Sequence, residues 1–435
     1  MLFLGRILLS KHRISLSGGN KITLWNQTGN MPIMKKKIIK KITRQELHVI
    51  WEKMKKIWHL RRRKEVQAIP MPYVSQQISV AGNKLTIFNR GQEVYDIMLE
   101  LFRSARHEIL IDSFIFSGDA LGEEIQNILI KKEAQGVDIT IIIDPVGNFF
   151  TTPSFWHNFR QRRIKIKEIN HYKNPWNIIT LNLLFRDHRK LVIVDGKVAF
   201  LGGLNISKTY EKNWRDTQMM IEGNAVFELR LLYNEVYKGK RFRPLFHQPD
   251  QMLRKPLSFI NTFPKEKPNR LFKLMVHLID NARKEIVINQ IYFIPTKKIR
   301  SALIRAAKRG VSVKILLSRY SDLNIIQTAV HACVAKLLVS GVRIFWYQPC
   351  VNHSKTLVID EQYAIVSSAN MDYRSFRRNY EISAIVRDAR FCREMMRMHE
   401  QDFADSREEN ISHWRKRRLR DKVLSRIVLI LRSHL

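Results

Sequence analysis

The chain contains two closely similar stretches from which its architecture can be inferred. They read HRKLVIVDGKVAFLGGLN over His188–Asn205 and HSKTLVIDEQYAIVSSAN over His353–Asn370, and they align without a gap at an offset of 165 positions. Each begins with the pattern H-x-K-x4-D and ends with two small residues shortly before an asparagine. One match to so short a pattern arises by chance, but two matches at equivalent points of a repeat do so far less often. The two stretches therefore indicate a duplicated domain that carries the same functional residues twice.

The repeat extends beyond these two stretches. SARHEILIDSFIF (Ser104–Phe116) corresponds to NARKEIVINQIYF (Asn281–Phe293), and KKEAQGVDITIIID (Lys131–Asp144) corresponds to RAAKRGVSVKILLS (Arg305–Ser318). Strand-like apolar runs alternate with a helical pattern, which is typical of a sheet covered by helices. We expect the α/β class, with two duplicated α/β domains. Each would be a mixed sheet flanked by helices, packed as a pseudo-two-fold pair with the active site at the interface.

The repeat also sets the expected domain boundaries. The stretch 248–268 between the two halves contains four prolines, and proline interrupts helices and strands, so we interpret it as a linker. The expected organisation is a basic N-terminal extension with an amphipathic helix (1–81), the first domain (82–247), the linker (248–268), the second domain (269–405) and a basic amphipathic C-terminal helix (406–435).

The composition points to an anionic partner. Of the 435 residues, 76 are Lys or Arg and 39 are Asp or Glu, which gives a net charge of +37. Such a charge fits nucleic acid or an anionic membrane surface. The hydrophobic share of 45% excludes a disordered polyelectrolyte. Three scattered cysteines (Cys333, Cys350 and Cys392) exclude a disulfide framework, and we expect them to be reduced thiols.

Both ends of the chain carry basic amphipathic patterns. The segment Thr43–Arg63 fits either a helix packed on the domain behind it or an interfacial membrane helix. In Ile411–Leu435, apolar residues recur every four positions beside a basic stripe, which fits a membrane-surface helix or a helix docked on the core. No uncharged apolar run reaches the about 18 residues that span a bilayer, so we expect peripheral attachment.

The paired histidines and lysines indicate phosphate chemistry. His188 and Lys190 alternate on an apolar strand, as do His353 and Lys355, so each pair faces one way. A lysine beside each histidine argues against a metal site. Lysine neutralises the oxygens of a phosphate, while histidine acts as a nucleophile or transfers a proton. The aspartates of the motifs, Asp195 and Asp360, have the opposite strand parity, so we expect each to form a supporting ion pair.

Further polar residues recur at the same offset. Asn205 and Asn370 follow the small residues, and we expect them, together with Ser368, Lys190 and Lys355, to contact the phosphate. Asp216 and Glu381 lie 28 positions after the two histidines. A catalytic imidazole needs a carboxylate on its other nitrogen, which fixes the tautomer and stabilises the imidazolium. From spacing alone, each acid serves its own half or the other half.

Two facing histidines suggest a mechanism without a metal or other cofactor. One imidazole attacks phosphorus, and the other protonates the leaving alcohol, so the two need opposite protonation states at the start. A phosphohistidine intermediate follows. With water as the acceptor the enzyme is a hydrolase, and with an alcohol it is a transferase.

These motifs resemble the phospholipase D superfamily. The flanks, including WRDTQMMIEG (Trp214–Gly223) and the run from His353 to Glu381, resemble bacterial cardiolipin synthases, in the short type without N-terminal membrane-spanning helices. The resemblance implies a phosphatidyltransferase that joins two phosphatidylglycerols, on the cytoplasmic side of the bacterial membrane. It also implies that His188 is the nucleophile and His353 the general acid/base, and that Asp216 and Glu381 each support the histidine of the opposite half. The alternative is a phospholipase D-type phosphodiesterase that hydrolyses phospholipid or nucleic acid.

Overall fold

The computed structural model divides the chain into two units, Met1–Arg61 and Arg62–Leu435. In the first unit it describes only an antiparallel hairpin of β1 (Arg13–Ser17) and β2 (Lys21–Trp25). The predicted helix over Thr43–Arg63 lies outside the described residues. The structure describes residues 13–17, 21–25, 71–169, 185–239, 249–266, 269–321 and 324–417.

The first half of the second unit alternates strands and helices, as the repeat predicts. Its strands are β3 (Ile78–Val80), β4 (Asn83–Arg90), β5 (Glu108–Ser113), β6 (Asp138–Ile143), β7 (Lys165–Glu168), β8 (Arg186–Asp187), β9 (Lys190–Val194), β10 (Val198–Gly202) and β11 (Trp214–Glu222). Its helices are α1 (Gly91–Ser104), α2 (Ala120–Ala134), α3 (Pro153–Arg160), α4 (Lys208–Lys212) and α5 (Ala225–Lys238).

The second half follows the same order. Its strands are β12 (Leu257–Thr262), β13 (Glu285–Gln290), β14 (Ser312–Ser318), β15 (Arg343–Tyr347), β16 (Val351–Asn352), β17 (Lys355–Ile359), β18 (Tyr363–Ser367), β19 (Asn379–Val386) and β20 (Ser406–Glu408). Its helices are α6 (Pro249–Leu253), α7 (Arg270–Asn281), α8 (Lys297–Lys308), α9 (Asn324–Val339), α10 (Tyr373–Arg377), α11 (Ala389–Ala404) and α12 (Ile411–Arg415).

Equivalent residues start and stop equivalent helices. Asp119 caps α2 by accepting from the Gly122 N–H, and Thr296 caps α8 by accepting from the Ile299 N–H. Gly136 and Gly310 follow these helices at φ of 89° and 88°, a left-handed conformation that glycine adopts without strain. Each helix therefore turns back into the next parallel strand at the same point of the repeat.

Each half forms one mixed sheet. The strand orders are β3-β4-β11-β10-β9-β5-β6-β7 and β12-β19-β18-β17-β13-β14-β15-β20. Two short strands cross between the halves: β8 pairs in parallel with β19, and β16 pairs in parallel with β11. Because these crossings are reciprocal, the halves are related by a pseudo-two-fold axis. The mixed sheets, the helices and this pairing confirm the expected fold class.

The motif strands are buried on both faces. On β9, Leu191 and Ile193 belong to an apolar cluster that also contains Val358 of β17, whereas Val192 and Val194 belong to a cluster formed mainly by the first half. The shared cluster also includes Leu229 of α5 and Phe391 of α11. Since it draws on both sheets, the two halves share a hydrophobic core, which keeps the motifs in register.

The structure differs from the expected organisation at three places. Strand β3 belongs to the first sheet although it precedes residue 82. The expected linker 248–268 contains α6 and also β12, which pairs with β19 in the second sheet. Strand β20 pairs with β15, so the second sheet continues beyond residue 405. In each case a strand completes the backbone hydrogen bonds of a sheet edge, which the repeat comparison does not reveal.

Two smaller expectations concern the ends and the cysteines. Of the predicted C-terminal helix, the structure describes α12 and residues up to 417. Nowhere in the described ranges does a helix combine the length and apolar character that crossing a bilayer requires. All three cysteines lie in the described residues, are buried and form no disulfide.

Candidate active site

The short strands that cross between the halves hold the two histidines. His188 lies between β8 and β9, and its backbone N–H donates to the Tyr380 carbonyl at 3.0 Å. His353 lies between β16 and β17, and its N–H donates to the Arg215 carbonyl at 2.7 Å. Each histidine N–H thus donates to the backbone carbonyl of the residue that precedes the acid of the opposite half. The backbone therefore brings each motif to the other half's acidic strand.

Each imidazole contacts the carboxylate of the opposite half. Nδ1 of His188 lies 3.0 and 3.2 Å from the two carboxylate oxygens of Glu381. Nδ1 of His353 lies 2.6 Å from Oδ2 of Asp216. Both carboxylates are fully buried. An acid on Nδ1 leaves Nε2 as the nitrogen that can attack phosphorus or carry a transferable proton.

The two carboxylates are held in different ways. Glu381 accepts from the Ser368 hydroxyl at 2.6 Å and from Nδ2 of Asn379 at 3.0 Å. Asp216 accepts from the Thr217 N–H at 2.8 Å. The Ser368 hydroxyl, which we expected to contact the phosphate, donates to Glu381 in this structure, and its contact with phosphate stays a prediction. In the first half Gly203 stands at that position, where a Cβ would lie 2.6 Å from the carboxylate carbon of Asp216.

The lysines of the motifs are buried beside the histidines. Nζ of Lys190 donates to the His188 carbonyl at 2.6 Å and lies 5.4 Å from the Phe114 ring centre. Nζ of Lys355 lies 2.8 and 3.3 Å from the two ring nitrogens of His353. The positive charge of the lysine from the other motif also lowers the pKa of each histidine. The four residues therefore form one cationic site rather than two separate ones.

Burial and this charge set the protonation of the site. Burial, reinforced by Lys355, lowers the pKa of His353 to about 3. Burial and the two lysines lower the pKa of His188 below its ordinary value, against the opposing effect of Glu381. Burial lowers the pKa of Lys190 to about 7. The pKa values of Glu381 and Asp216 are lowered, because the nearby histidines and lysines outweigh burial.

The two asparagines are buried at the same site. Oδ1 of Asn205 accepts from the Ile115 N–H at 3.1 Å, which orients the side chain. The N–H of Asn370 donates to the Ser375 hydroxyl at 3.0 Å. Oδ1 of Asn370 is buried, and it has no hydrogen-bond partner among the described residues. A buried carbonyl oxygen of this kind is costly unless a ligand or solvent donor reaches it.

The aspartates of the motifs lie away from the histidines. Asp195 follows the far end of β9 at a φ of 51°, and its carboxylate accepts from the backbone N–H groups of Arg106, His107 and Glu108 at 2.7–3.2 Å. Asp360 does the same after β17, accepting from residues 283–285 at 2.7–2.9 Å. The expected ion pairs are therefore replaced by backbone hydrogen bonds. These aspartates join the motif strands to the start of β5 and β13.

The comparisons with known proteins agree with this geometry. The family model for the cardiolipin synthase, PLD-like domain matches residues 98–231 and again residues 275–403, more than half of the chain. The chain belongs to this family. The match confirms the resemblance to the phospholipase D superfamily, and its two segments correspond to the two halves of the structure.

Relatives in several bacteria are similar over most of their length. Cardiolipin synthase A of Pseudomonas putida (strain GB-1) is 31% identical over 350 residues, which cover 78% of this chain and 72% of the relative. Cardiolipin synthase of Listeria welshimeri is 29% identical over 334 residues, which cover 73% and 68%. Family membership therefore makes the chain a phosphatidyltransferase, an enzyme of phospholipid biosynthesis.

Solved structures share the fold. Phosphatidylserine synthase of Haemophilus influenzae Rd KW20 matches with a TM-score of 0.64 at 13% identity, covering 88% of this chain and 100% of that one. Polyphosphate kinase of Porphyromonas gingivalis matches with a TM-score of 0.51 at 14% identity, covering 73% and 50%. At such low identity, the likeness concerns the architecture alone.

Several residues of the site escape reasoning from the motifs. The Phe114 ring lies 5.2 Å from the His188 ring, while the rings of Tyr210 and Trp214 lie 5.2 and 5.3 Å from that of His353. These aromatic contacts restrict the imidazoles and exclude water from around them. Trp214 could have been found, since it stands next to the acidic position in the repeat. Phe114 and Tyr210 have no comparable signal.

Proposed function

We propose that the enzyme transfers a phosphatidyl group from one phosphatidylglycerol to a hydroxyl of a second one, forming cardiolipin and glycerol. The observation that carries the proposal is the reciprocal pair of dyads, His188 with Glu381 and His353 with Asp216, around two buried lysines. The names of the relatives support cardiolipin as the product.

The first step forms the enzyme intermediate. Nε2 of His188 attacks phosphorus, and the N–P bond forms as the bond from phosphorus to the glycerol headgroup oxygen breaks. His353 gives its Nε2 proton to that oxygen, so glycerol leaves as a neutral alcohol. Glu381 stabilises the positive charge that develops on His188. The product is a phosphatidyl-histidine with His353 neutral.

In the second step, the N–P bond breaks, a new P–O bond forms, and His353 acts as a base. Neutral His353 accepts the proton from the hydroxyl of the second phosphatidylglycerol. The new P–O bond forms and the N–P bond to His188 breaks, which releases cardiolipin. His353 is then protonated again, so no proton is gained or lost over the cycle. When water enters instead of the lipid hydroxyl, the product is phosphatidic acid.

The substrate itself helps to protonate His353. With its pKa at about 3, His353 is neutral at pH 7 before substrate binds. A bound phosphodiester places a negative charge between the lysines, which offsets the cationic field that lowers this pKa. Lys190 and Lys355, with the amides of Asn205 and Asn370, are the proposed contacts of the phosphoryl oxygens. Asp195 and Asp360 position the motif strands without touching substrate.

We place the enzyme at the cytoplasmic face of the bacterial membrane as a peripheral protein. Its net charge of +37 favours adsorption to anionic lipid. The relatives make a membrane lipid, so the substrate is found at that surface.

The test is a product assay with vesicles of phosphatidylglycerol in the presence of EDTA. We expect cardiolipin and glycerol in equal amounts, and no effect of EDTA, since no step uses a metal. Replacement of His188 or His353 by alanine removes a nucleophile or an acid/base, and we expect cardiolipin formation to fall by at least about 10³-fold.

His107→Ala is the matched control, because this histidine is exposed and lies beside Asp195, away from the dyads. It should retain wild-type activity. The proposal fails if the wild-type protein forms no lipid product while it cuts single-stranded nucleic acid. Mass spectrometry of an acid-labile phosphoryl adduct on the His188 peptide tests the assignment of the nucleophile.

A further inference from the structure

An arginine cluster lies next to the His188–Glu381 dyad. Arg374 and Arg378 are one helical turn apart at α10, so they share a face, and the Arg378 N–H donates to the Arg374 carbonyl at 2.7 Å. Arg186 pairs with Asn379 across the β8–β19 ladder. It therefore lies beside Arg378 and two residues before His188. Arg374 interacts electrostatically with both other arginines.

The carboxylates near this cluster are already engaged. Asp144 pairs with Arg186 at 3.0 Å and accepts two backbone N–H groups. Asp372 accepts from the Ser375 N–H and thereby caps α10. Neither Arg374 nor Arg378 forms an ion pair within the described ranges. Nη1 of Arg378 is buried and makes no hydrogen bond to any described residue. The cluster therefore carries partly buried positive charge in excess of its acidic neighbours, with Arg186 buried and Arg374 and Arg378 half-buried.

The cluster has no counterpart in the other half. At the offset of 165, the positions of Arg186, Arg374 and Arg378 correspond to Val351, Thr209 and Asn213. The equivalent surroundings of His353 are instead aromatic, with Trp214 and Tyr210 against the ring. The fold does not need arginine at these points, since the first half builds the same helix and ladder without it. The excess charge therefore points to a ligand on one side of the pseudo-symmetric site.

Unsatisfied acceptors lie beside the arginines. Oδ1 of Asn379 and Oδ1 of Asn370 are buried and have no hydrogen-bond donor among the described residues. Asn379 follows Arg378 directly, and Asn370 precedes α10. Arginine N–H groups bind phosphate oxygens, and carbonyl oxygens accept from hydroxyls. One anionic group that also carries hydroxyls would satisfy both kinds of atom.

We propose that Arg374 and Arg378, with Arg186 beside them, form a second anion subsite that binds the phosphodiester of the acceptor phospholipid while its hydroxyl reacts at the histidines. This rests on the proposed function, and it adds a basis for the choice of acceptor. The phosphate of the donor lies at the lysines, and that of the acceptor at the arginines. An uncharged alcohol such as glycerol does not use the subsite.

The experiment compares two acceptors in one assay. Vesicles of phosphatidylglycerol in neutral phosphatidylcholine are incubated with radiolabelled glycerol, so that each variant forms cardiolipin and labelled phosphatidylglycerol in parallel. In Arg374→Gln and Arg378→Gln, we expect cardiolipin formation to fall about tenfold or more, the effect of losing a charged hydrogen bond. Glycerol incorporation should stay within about twofold of wild type, which also shows that the variant is folded. Arg374→Lys should recover part of the loss.

Arg377→Gln is the matched control, because Arg377 is exposed on the same helix, and it should change neither rate. An equal loss of both products, or of neither, in the arginine variants overturns the subsite and leaves the proposed function intact. Equal losses that accompany weaker vesicle flotation would assign the arginines to membrane adsorption instead. If the wild-type protein forms neither product, the proposed function itself fails, and the acceptor subsite fails with it.

Discussion

The two halves hold the same H-x-K pattern in different chemical surroundings. In the first half, the residue between histidine and lysine is Arg189, which pairs within the half with Asp187 at 3.1 Å and with Asp112. In the second half, Ser354, Asn352 and Asn289 occupy these positions, and Nδ2 of Asn352 donates to Oδ1 of Asn289 at 2.9 Å. One strand frame thus accommodates either a charged or a neutral buried network, provided that its polar atoms are satisfied.

The polar network of the second half also contains a charged residue of the first half. Arg215 is fully buried and pairs with Asp402 of α11 at 2.6 Å, while its Nη1 donates to the hydroxyls of Thr217 and Ser354. Arg215 stands next to Asp216, the acid on His353. The second half therefore depends on the first for both its arginine and its carboxylate. Because Arg215 supplies the buried positive charge, the residues Ser354, Asn352 and Asn289 beside His353 can be uncharged.

The largest expected effect comes from exchanging the small residues that lie against the two acids, Gly203 beside Asp216 and Ser368 beside Glu381. Gly203→Ser copies the second half into the first, but its Cβ would collide with the Asp216 carboxylate. The acid then cannot stay on Nδ1 of His353, and we expect kcat to fall by about 10³-fold. The measurement is the rate of cardiolipin formation at saturating lipid. Ser368→Gly, the reverse exchange, loses one hydrogen bond to Glu381 and should cost only about tenfold.

Gly239→Ala is the control for this exchange, because Gly239 has open space around the position of a Cβ. Its φ of 64° makes the substitution mildly strained, so stability decreases while kcat should be retained. A fully active Gly203→Ser enzyme would show that Asp216 is not needed at its observed place.

The next effect separates the charged network from the neutral one. Arg189→Met leaves two buried carboxylates without their cation, and we expect the free energy of unfolding to fall by about 3–5 kcal/mol. Ser354→Ala removes one hydroxyl that accepts a hydrogen bond from Nη1 of Arg215. Because Nη1 still donates to the Thr217 hydroxyl, the free energy of unfolding should fall by only about 1 kcal/mol. Urea unfolding followed by tryptophan fluorescence measures both. Equal losses would mean that the two halves are not stabilised differently.

The smallest effect is a pH dependence that arises in the first half. Lys190 has a pKa of about 7 because of burial, so it loses its charge as the pH rises above 7. We expect kcat/KM for phosphatidylglycerol to fall about tenfold per pH unit above that point. The fall in kcat should be weaker, since a bound phosphodiester favours the ammonium form. Burial and the two lysines lower the pKa of His188, which favours the neutral form that acts as the nucleophile.

Lys190→Gln should have a low kcat/KM that no longer falls between pH 7 and 9. Lys197→Gln is the matched control, because this lysine is exposed in the turn after the same strand, and it should keep the wild-type profile. An unchanged alkaline fall in Lys190→Gln would assign the titration to another group.

Much of the fold follows from the repeat, and some of it does not. The alternation of apolar strands with helices that the repeat predicts is found as β5, α2 and β6, because these segments combine strong periodicity with clear stop signals. Strands β12 and β20 were not expected as parts of the second sheet. Both lie at or next to the sheet edge, where long-range pairing rather than local pattern decides.

The site shows the same division. The spacing of the two histidines and two acids suggested that each imidazole has a carboxylate, and residue chemistry suggested the lysines. Asp195 and Asp360 were expected to form ion pairs but accept backbone N–H groups instead, and the Ser368 hydroxyl donates to Glu381, a partner that the motif does not reveal. Such partners are close in space but 13 to almost 90 positions distant in the chain.

The duplication, the α/β class and the residue types for phosphoryl transfer follow from the amino-acid sequence alone, because they are encoded as repeats and as periodic patterns along one strand or helix. Spacing left open which acid each histidine meets, and the folded chain pairs His188 with Glu381 and His353 with Asp216, the arrangement that the resemblance implied. The gathering of three arginines beside one dyad has no signal in the sequence and comes from the folded chain alone. The reason is that β8 and β16 cross to the opposite sheet. A crossing of two residues leaves almost no periodic signal, yet it brings each histidine to the carboxylate of the opposite half.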